Sequence, residues 1–295
     1  MNEKPFAGVL FASDYDHTLS APDGTVPEAN RAGIRRFIDA GGRFCIASGR
    51  SVRLLSSRLE LVPVNAPCLC FNGSACYDYQ AHRLLWEQPM RFDAQRLIDA
   101  AVAFDPGIEA EVQTAEGHFM RGQPDQRAYF LQTQGVVPHF GELPPQPWMK
   151  LVFCVPSERT AAEAILIERP DELPPQTAQR VQRLWDFLLR EAGDSCYVTR
   201  SLPRVLEVGP KGCDKGAAAR RLMAALGCDR LVCAGDAPND LELLQSADLA
   251  FVPRDCDPTI AALDCVHFAA ASADGAVGDA IEQLFSGKIA FPDRK

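Results

Sequence analysis

The chain has 295 residues, 47% of them hydrophobic and 23% charged, with a formal net charge of −9. That length favours two domains over one, with enough apolar material for a sizeable core. The acidic balance argues against general affinity for nucleic acid or an anionic membrane, but it admits an anionic small molecule wherever a local cation reverses the field.

The apolar run Val9 to Ala12 predicts a buried strand that stops at two carboxylates, Asp14 and Asp16, with Thr18 beyond. Taken alone, this is either an ordinary turn opening or a site for a cation and a phosphate. "VPEANRAGIRRFIDAGG" then predicts a helix with Pro27 in its first turn and Ile34, Phe37 and Ile38 on one face. Gly41 and Gly42 stop it. "RFCIAS" reads as a second strand ending at Ser48, followed by Gly49 and Arg50. "SVRLLSSRLELV" is helix-like and "APCLCFNG" reads as another strand.

The middle of the chain changes character. "FDAQRLIDAAVAF" looks helical, "IEAEVQ" alternates like a half-exposed strand, and "WMKLVFCVP" is a strand. "TAQRVQRLWDFLLREAG" is an amphipathic helix and "SCYVTRS" alternates again, with Pro-rich connectors "GELPPQP" and "ERPDELPPQ" between. This order predicts an antiparallel sheet with helices on one face. Beyond it, "KGAAARRLMAALG", "NDLELLQSA" and "GAVGDAIEQLF" read as helices, alternating with the strands "RLVCAG", "DLAFV" and "CVHFAA". Buried strands alternating with helices at both ends predict an α/β domain with a doubly wound parallel sheet. The expected boundaries are 1–83 and 204–295 for that core and 84–203 for an inserted α+β domain.

Eleven cysteines run from Cys45 to Cys265, none at C-x-x-C spacing, and "CLCFNGSAC" lacks a histidine pair at ligand spacing. They are expected to be reduced core residues. No basic-then-apolar leader opens the chain and no apolar run is long enough for a bilayer, so a cytoplasmic protein is expected. His82, His118, His139 and His267 have no recognisable partners and read as ordinary surface or core residues.

Four strand or helix ends carry distinctive polar residues: "DYDHT", "ASGR", the helix opening at Lys215, and "GDAPND" with Asp236, Asn239 and Asp240. In this order they resemble the four motifs of the haloacid dehalogenase superfamily. "FNGSACYD", "VLEVGPKGCDKGAAARRL" and the large insertion resemble its Cof-type sugar-phosphate phosphatases with a class IIB cap. The resemblance implies a Rossmann-like core, a cap, and a Mg²⁺-dependent phosphatase of small phosphorylated metabolites, with sugar phosphates as the expected class. It implies that Asp14 is the nucleophile, forming an aspartyl-phosphate. It implies Mg²⁺ on Asp14, the Asp16 carbonyl and Asp236, with Asp240 supporting the metal from behind. Asp16 would be the acid–base, a residue that dehalogenase and phosphonatase members lack. Ser48, Gly49, Asn72, Lys215 and Asn239 would bind phosphate, with Asn239 facing phosphate or metal. Two alternatives stand beside this reading: a phosphomutase of the phosphomannomutase type, and a non-catalytic ligand-binding protein. One residue departs from the pattern: His17 stands where the family commonly has glycine. It either reshapes the loop or reaches the leaving group, and the first reading is preferred.

Overall fold

The computed structural model describes residues 4–122, 124–164 and 172–292. The connector "ERPDELPPQ" lies partly outside them. In chain order the elements begin with β1 (Val9–Ser13), α1 (Glu28–Asp39), β2 (Arg43–Ile46) and α2 (Val52–Ser56), then β3 (Cys68–Cys70), β4 (Ala75–Asp78) and β5 (Arg83–Glu87). Next come α3 (Ala94–Phe104), β6 (Glu109–Gln113), β7 (His118–Arg121), α4 (Gln126–Thr133) and β8 (His139–Phe140). They are followed by β9 (Lys150–Cys154), α5 (Ala161–Ala164), α6 (Pro175–Ala192), β10 (Cys196–Leu202) and β11 (Val205–Pro210). The last are α7 (Lys215–Ala225), β12 (Arg230–Ala234), α8 (Leu241–Ser246), β13 (Leu249–Val252), α9 (Pro258–Ala261), β14 (Val266–Phe268) and α10 (Ala276–Phe285). Among the described residues, no helix is long and apolar enough to cross a membrane.

The chain forms two compact units: Met1–Arg50, Leu55–Glu87 and Asp214–Lys295 make the first, and Ser51–Leu54 with Gln88–Cys213 the second. The first is a Rossmann-like, doubly wound core around a parallel sheet of order β14-β13-β12-β1-β2. Every residue of β1 is buried, because it is flanked by strands on both edges and covered on both faces. Helix α1 starts after Pro27, whose φ of −54° suits a helix entry, and buries Ile34 and Phe37. It packs on α10 at close range: a Cβ on Gly33 would lie 2.9 Å from the Gly278 Cα, so two glycines let the backbones meet. Asn30 fixes that crossing by donating to Leu19 O at 2.8 Å and accepting from the Gly278 amide at 2.7 Å. Cys45, Cys68, Cys70 and Cys233 are fully buried in this unit, and burial pushes the Cys68 thiol up to about 12, so it packs as a small apolar side chain.

Two local expectations are corrected here. "SVRLLSSRLELV" yields only the five-residue α2 and a separate 3₁₀ turn at Leu59–Leu61, since Ser56, Ser57 and Arg58 interrupt the apolar periodicity. "APCLCFNG" does not add a full strand to the parallel sheet. It touches that sheet through one parallel bridge, Ala47 to Leu69, and pairs antiparallel with β4 in a separate sheet of order β3-β4-β5.

The second unit is an α+β body on a sheet of order β10-β11-β9-β6-β7-β8, antiparallel except where β8 joins β7. Helices α3 and α6 cover one face over Ala110, Val112, Leu151, Phe153, Leu206 and Val208. The expectation of helices on one face only is corrected by α4, whose first turn sits on the opposite face: the Glu109 carboxylate accepts the amides of Asp125, Gln126 and Arg127. "IEAEVQ" is likewise not half-exposed, because all five residues of β6 are buried. Its acidic side is buried because it is paired: Glu111 bonds Arg127 Nε and His118 Nδ1, and Lys150 bonds Glu207 at 2.9 Å. His118 is therefore not an ordinary residue but the middle of a chain, with its Nε2 2.9 Å from Ser51 Oγ.

Candidate active site

In the first unit the sheet order reverses direction between β1 and β12: β2 continues from β1 on one side, while β13 and β14 continue from β12 on the other. Such a switch point opens a crevice at the carboxyl ends of the strands. The register pairs Ser13 with Ala234, and the Asp14 amide donates to Ala234 O at 2.8 Å. Asp14 and Asp236 therefore leave neighbouring strand ends side by side. Gly235 lets the next turn fold back closely, since a Cβ there would lie 2.5 Å from Asp240 Cβ. That return brings Asp240 Oδ2 to the amides of Asp236 and Ala237, at 3.0 and 3.1 Å.

Lys215 is the first residue of α7, held at the helix start by Asp214, whose carboxylate caps the Ala217 amide at 2.7 Å. Its Nζ lies 2.7 Å from Asp14 Oδ1 and 2.6 Å from Asp240 Oδ1, with the side chain fully buried. Burial alone would depress the lysine, but Asp14 and Asp240 outweigh it and raise its pKa, so the cation is permanent. Asp14 moves the other way: burial, and then the Asp240 charge, push its carboxyl up to about 7 against the pull of Lys215. Burial and the charges of Asp240 and Asp14 also push Asp236 well above the usual carboxylate range, although Thr18 Oγ1 donates to it at 2.5 Å.

The three carboxylates of Asp14, Asp236 and Asp240 approach within 4.8 Å of one another and are buried. Lys215 bonds only two of the three, so a cation at this cluster would offset the remaining acidic charge and favour ionised carboxylates. Asp240 has both oxygens engaged, by Lys215 and by two amides, so it holds the turn and the lysine in place. Among the described residues, the carboxylates of Asp14 and Asp236 each accept hydrogen bonds through Oδ1 only, and the buried Asn239 Oδ1 makes none. A donor set of carboxylate and amide oxygens, without thiolate or imidazole, fits Mg²⁺.

The other expected residues fall in two neighbouring turns. The Ser48 amide donates to Leu69 O at 2.9 Å and its carbonyl accepts the Asn72 amide at 3.1 Å, so the Ser48 and Asn72 loops are stitched together. Asn72 is buried with φ at 56°, a left-handed conformation that asparagine tolerates better than most residues. Gly49 lies in the turn where Ser48 Oγ accepts the Arg50 amide at 3.2 Å. Asp16 stands apart from the acidic cluster, its carboxylate paired with Arg50 at 2.8 Å to Nε and 2.6 Å to Nη2. His17 adopts φ 57°, which accounts for the glycine usual at that position. Two contributors received no role from sequence: Thr18, which holds Asp236, and Arg50, which holds Asp16. Their only sequence signal is adjacency to the motifs, Thr18 just past the carboxylate pair and Arg50 just past "ASG".

The sequence pattern of the haloacid dehalogenase-like hydrolases matches residues 11–281. The chain belongs to this family. It is 30% identical over 81 residues to the pyridoxal phosphate phosphatase YbhA of Escherichia coli, a stretch spanning 28% of this chain and 30% of that protein. Solved structures share the fold over nearly the whole length. A haloacid dehalogenase-like hydrolase from B. subtilis superposes with a TM-score of 0.73 at 16% identity, over 93% of this chain and 99% of its own. A sugar phosphatase of HAD subclass IIB gives 0.73 at 15% identity, over 95% and 99%. The doubly wound core with its inserted α+β unit is thus the architecture of this family.

Proposed function

We propose that this hydrolase is a Mg²⁺-dependent phosphatase of small phosphorylated metabolites, sugar phosphates foremost, acting through an aspartyl-phosphate on Asp14. The observation that carries the reading is the triangle of Asp14, Lys215 and Asp240 at the switch point, with Asp236 and Asn239 beside it. Mg²⁺, held by Asp14, the Asp16 carbonyl and Asp236, would neutralise charge between an anionic ester and an anionic nucleophile.

The protein's own groups then divide the work. Asp14 attacks phosphorus, its position fixed by the amide bond to β12 and by Lys215. Lys215, unable to lose its proton, offers fixed positive charge to the transferring phosphoryl oxygens. Ser48 and Asn72, tied to each other, bind the same oxygens, with Gly49 beside Ser48 in the same turn. Asp16 gives a proton to the departing alkoxide, then takes one from the water that cleaves the acyl phosphate. The second unit, which carries none of these groups and has its own core, selects among leaving groups. The name of the E. coli relative adds pyridoxal phosphate as a candidate to test beside the sugars.

The test is phosphate release from a panel of sugar phosphates, pyridoxal phosphate and nucleotides, with and without Mg²⁺. Release from one class, abolished by chelator, is expected. Isomerised sugar phosphate without free phosphate would favour a mutase, and binding without turnover of any ester would overturn the reading.

A further inference from the structure

We propose that Arg50 is a positioning residue for leaving-group protonation, acting by a two-point grip on the Asp16 carboxylate. The inference rests on the phosphatase reading and deepens it. Asp16 has a side chain 43% exposed, whereas that of Arg50 is only 11% exposed. A short, half-exposed carboxylate can turn about two bonds, so its direction is set by what holds it. The guanidinium removes that freedom, because Nε and Nη2 each meet a different oxygen of the same carboxylate, at 2.8 and 2.6 Å. A planar fork matching a planar carboxylate fixes direction as well as distance.

Arg50 is itself anchored along its length. Its amide donates to Ser48 Oγ at 3.2 Å, its carbonyl accepts the Phe71 amide at 2.9 Å, and its guanidinium lies 5.5 Å from the Tyr15 ring centroid. The residue therefore ties the acid–base to the same pair of loops that present Ser48 and Asn72. In the step concerned, the bond from phosphorus to the leaving oxygen breaks as the Asp14 bond forms, and a proton carried on Asp16, against the Arg50 charge that favours its ionised form, passes to the departing oxygen. The reverse transfer, from water to Asp16, accompanies hydrolysis. Misdirecting Asp16 penalises departure only where the leaving group needs the proton.

A series of ring-substituted phenyl phosphates reads this directly, since leaving-group acidity changes while shape changes little. Wild type, Arg50→Lys, Arg50→Ala and Asp16→Asn are compared by log kcat/KM against leaving-group acidity, with circular dichroism to verify folding. Arg50→Ala should lose on the order of tenfold to a hundredfold on phenyl phosphate, at or below the range for general acid–base catalysis. It should lose little on dinitrophenyl phosphate, giving a steeper slope that approaches that of Asp16→Asn. Arg50→Lys, which keeps charge but offers one point of contact, should fall between. Equal loss at every leaving group, or no loss, would overturn the proposal. If Arg50→Ala does not fold, Arg50→Lys decides: a steeper slope supports the grip and a parallel line overturns it. Wild type inert towards every ester would instead bring down the phosphatase reading, and this inference with it.

Discussion

Lys215 Nζ sits 2.7 Å from Asp14 Oδ1 and 2.6 Å from Asp240 Oδ1, fully buried and bridging two carboxylates far apart in the sequence. In the proposed reaction the same cation would serve the chemistry as well as the fold. Replacing it by methionine keeps the bulk but leaves buried carboxylates without their counter-charge. Breaking such a pair costs roughly 3–5 kcal/mol. Lys215→Met should lose about that much in urea unfolding of the metal-free protein, and should release no phosphate even where it stays folded. A mutant as stable as wild type would show that the triangle is not a structural element.

Metal binding should be pH-dependent in a direction fixed by Asp14. Its carboxyl has a folded pKa of about 7 against 3.8 as a free group. Between those values the folded, metal-free protein holds a proton that the unfolded chain has released. The stability of the metal-free form therefore falls as pH rises through that window and levels off above it. Mg²⁺ has to displace the same proton, so its stabilising effect grows with pH. The melting temperature gained on adding Mg²⁺ should be clearly larger at about pH 8 than at about pH 5. An equal gain at both would place the metal away from Asp14.

The candidate site residues were legible because each follows a buried strand or opens a helix, and a parallel sheet gathers such ends at one edge. Pattern marks the strand ends at Asp14 and Asp236 and the helix opening at Lys215, but only the family resemblance gives them roles. The partners of those residues could not, because Thr18 to Asp236 and Arg50 to Asp16 depend on turn geometry that periodicity does not encode. The second unit was less legible for a related reason. In β6 the alternation of Glu109, Glu111 and Gln113 with Ala110 and Val112 matches a strand with one wet face. Only the tertiary positions of Arg127, His118 and the α4 amides reveal that the acidic face is buried.

That buried network yields a further expectation. Glu111 is fully buried, and although burial opposes it, Arg127 and His118 hold its carboxyl well below the usual range. Ser51, His118 and Glu111 have the order of a hydrolytic triad, yet Ser51 is buried and its Oγ accepts the Leu54 amide at 3.1 Å, so it caps α2 and offers no exposed nucleophile. Arg127→Met should therefore destabilise the protein by roughly 3–5 kcal/mol, because the buried Glu111 loses its fixed cation and keeps only His118 and Gln113. Ser51→Ala should leave Mg²⁺-dependent phosphate release in place at a cost of about 1 kcal/mol for the lost cap. Loss of all turnover in a folded Ser51→Ala protein would contradict the structural assignment.

His17 tests whether the departure from glycine is conformational. At φ 57° a β-branched residue is strained by about 1–3 kcal/mol, while glycine is not. His17→Gly should match wild type in thermal stability and in turnover of phenyl phosphate, whereas His17→Val should unfold more readily. A folded His17→Gly protein without turnover would mean that the imidazole takes part in the reaction.

The account rests on Asp14 carrying the phosphoryl group, and trapping that adduct tests it most directly. Asp16→Asn, mixed with Mg²⁺ and dinitrophenyl phosphate and quenched in acid, should retain phosphate because hydrolysis of the acyl phosphate lacks its base. Peptide mass spectrometry should locate the phosphate on Asp14, and Asp14→Asn should carry none and release none. Phosphate on another residue, or full turnover by Asp14→Asn, would contradict the account.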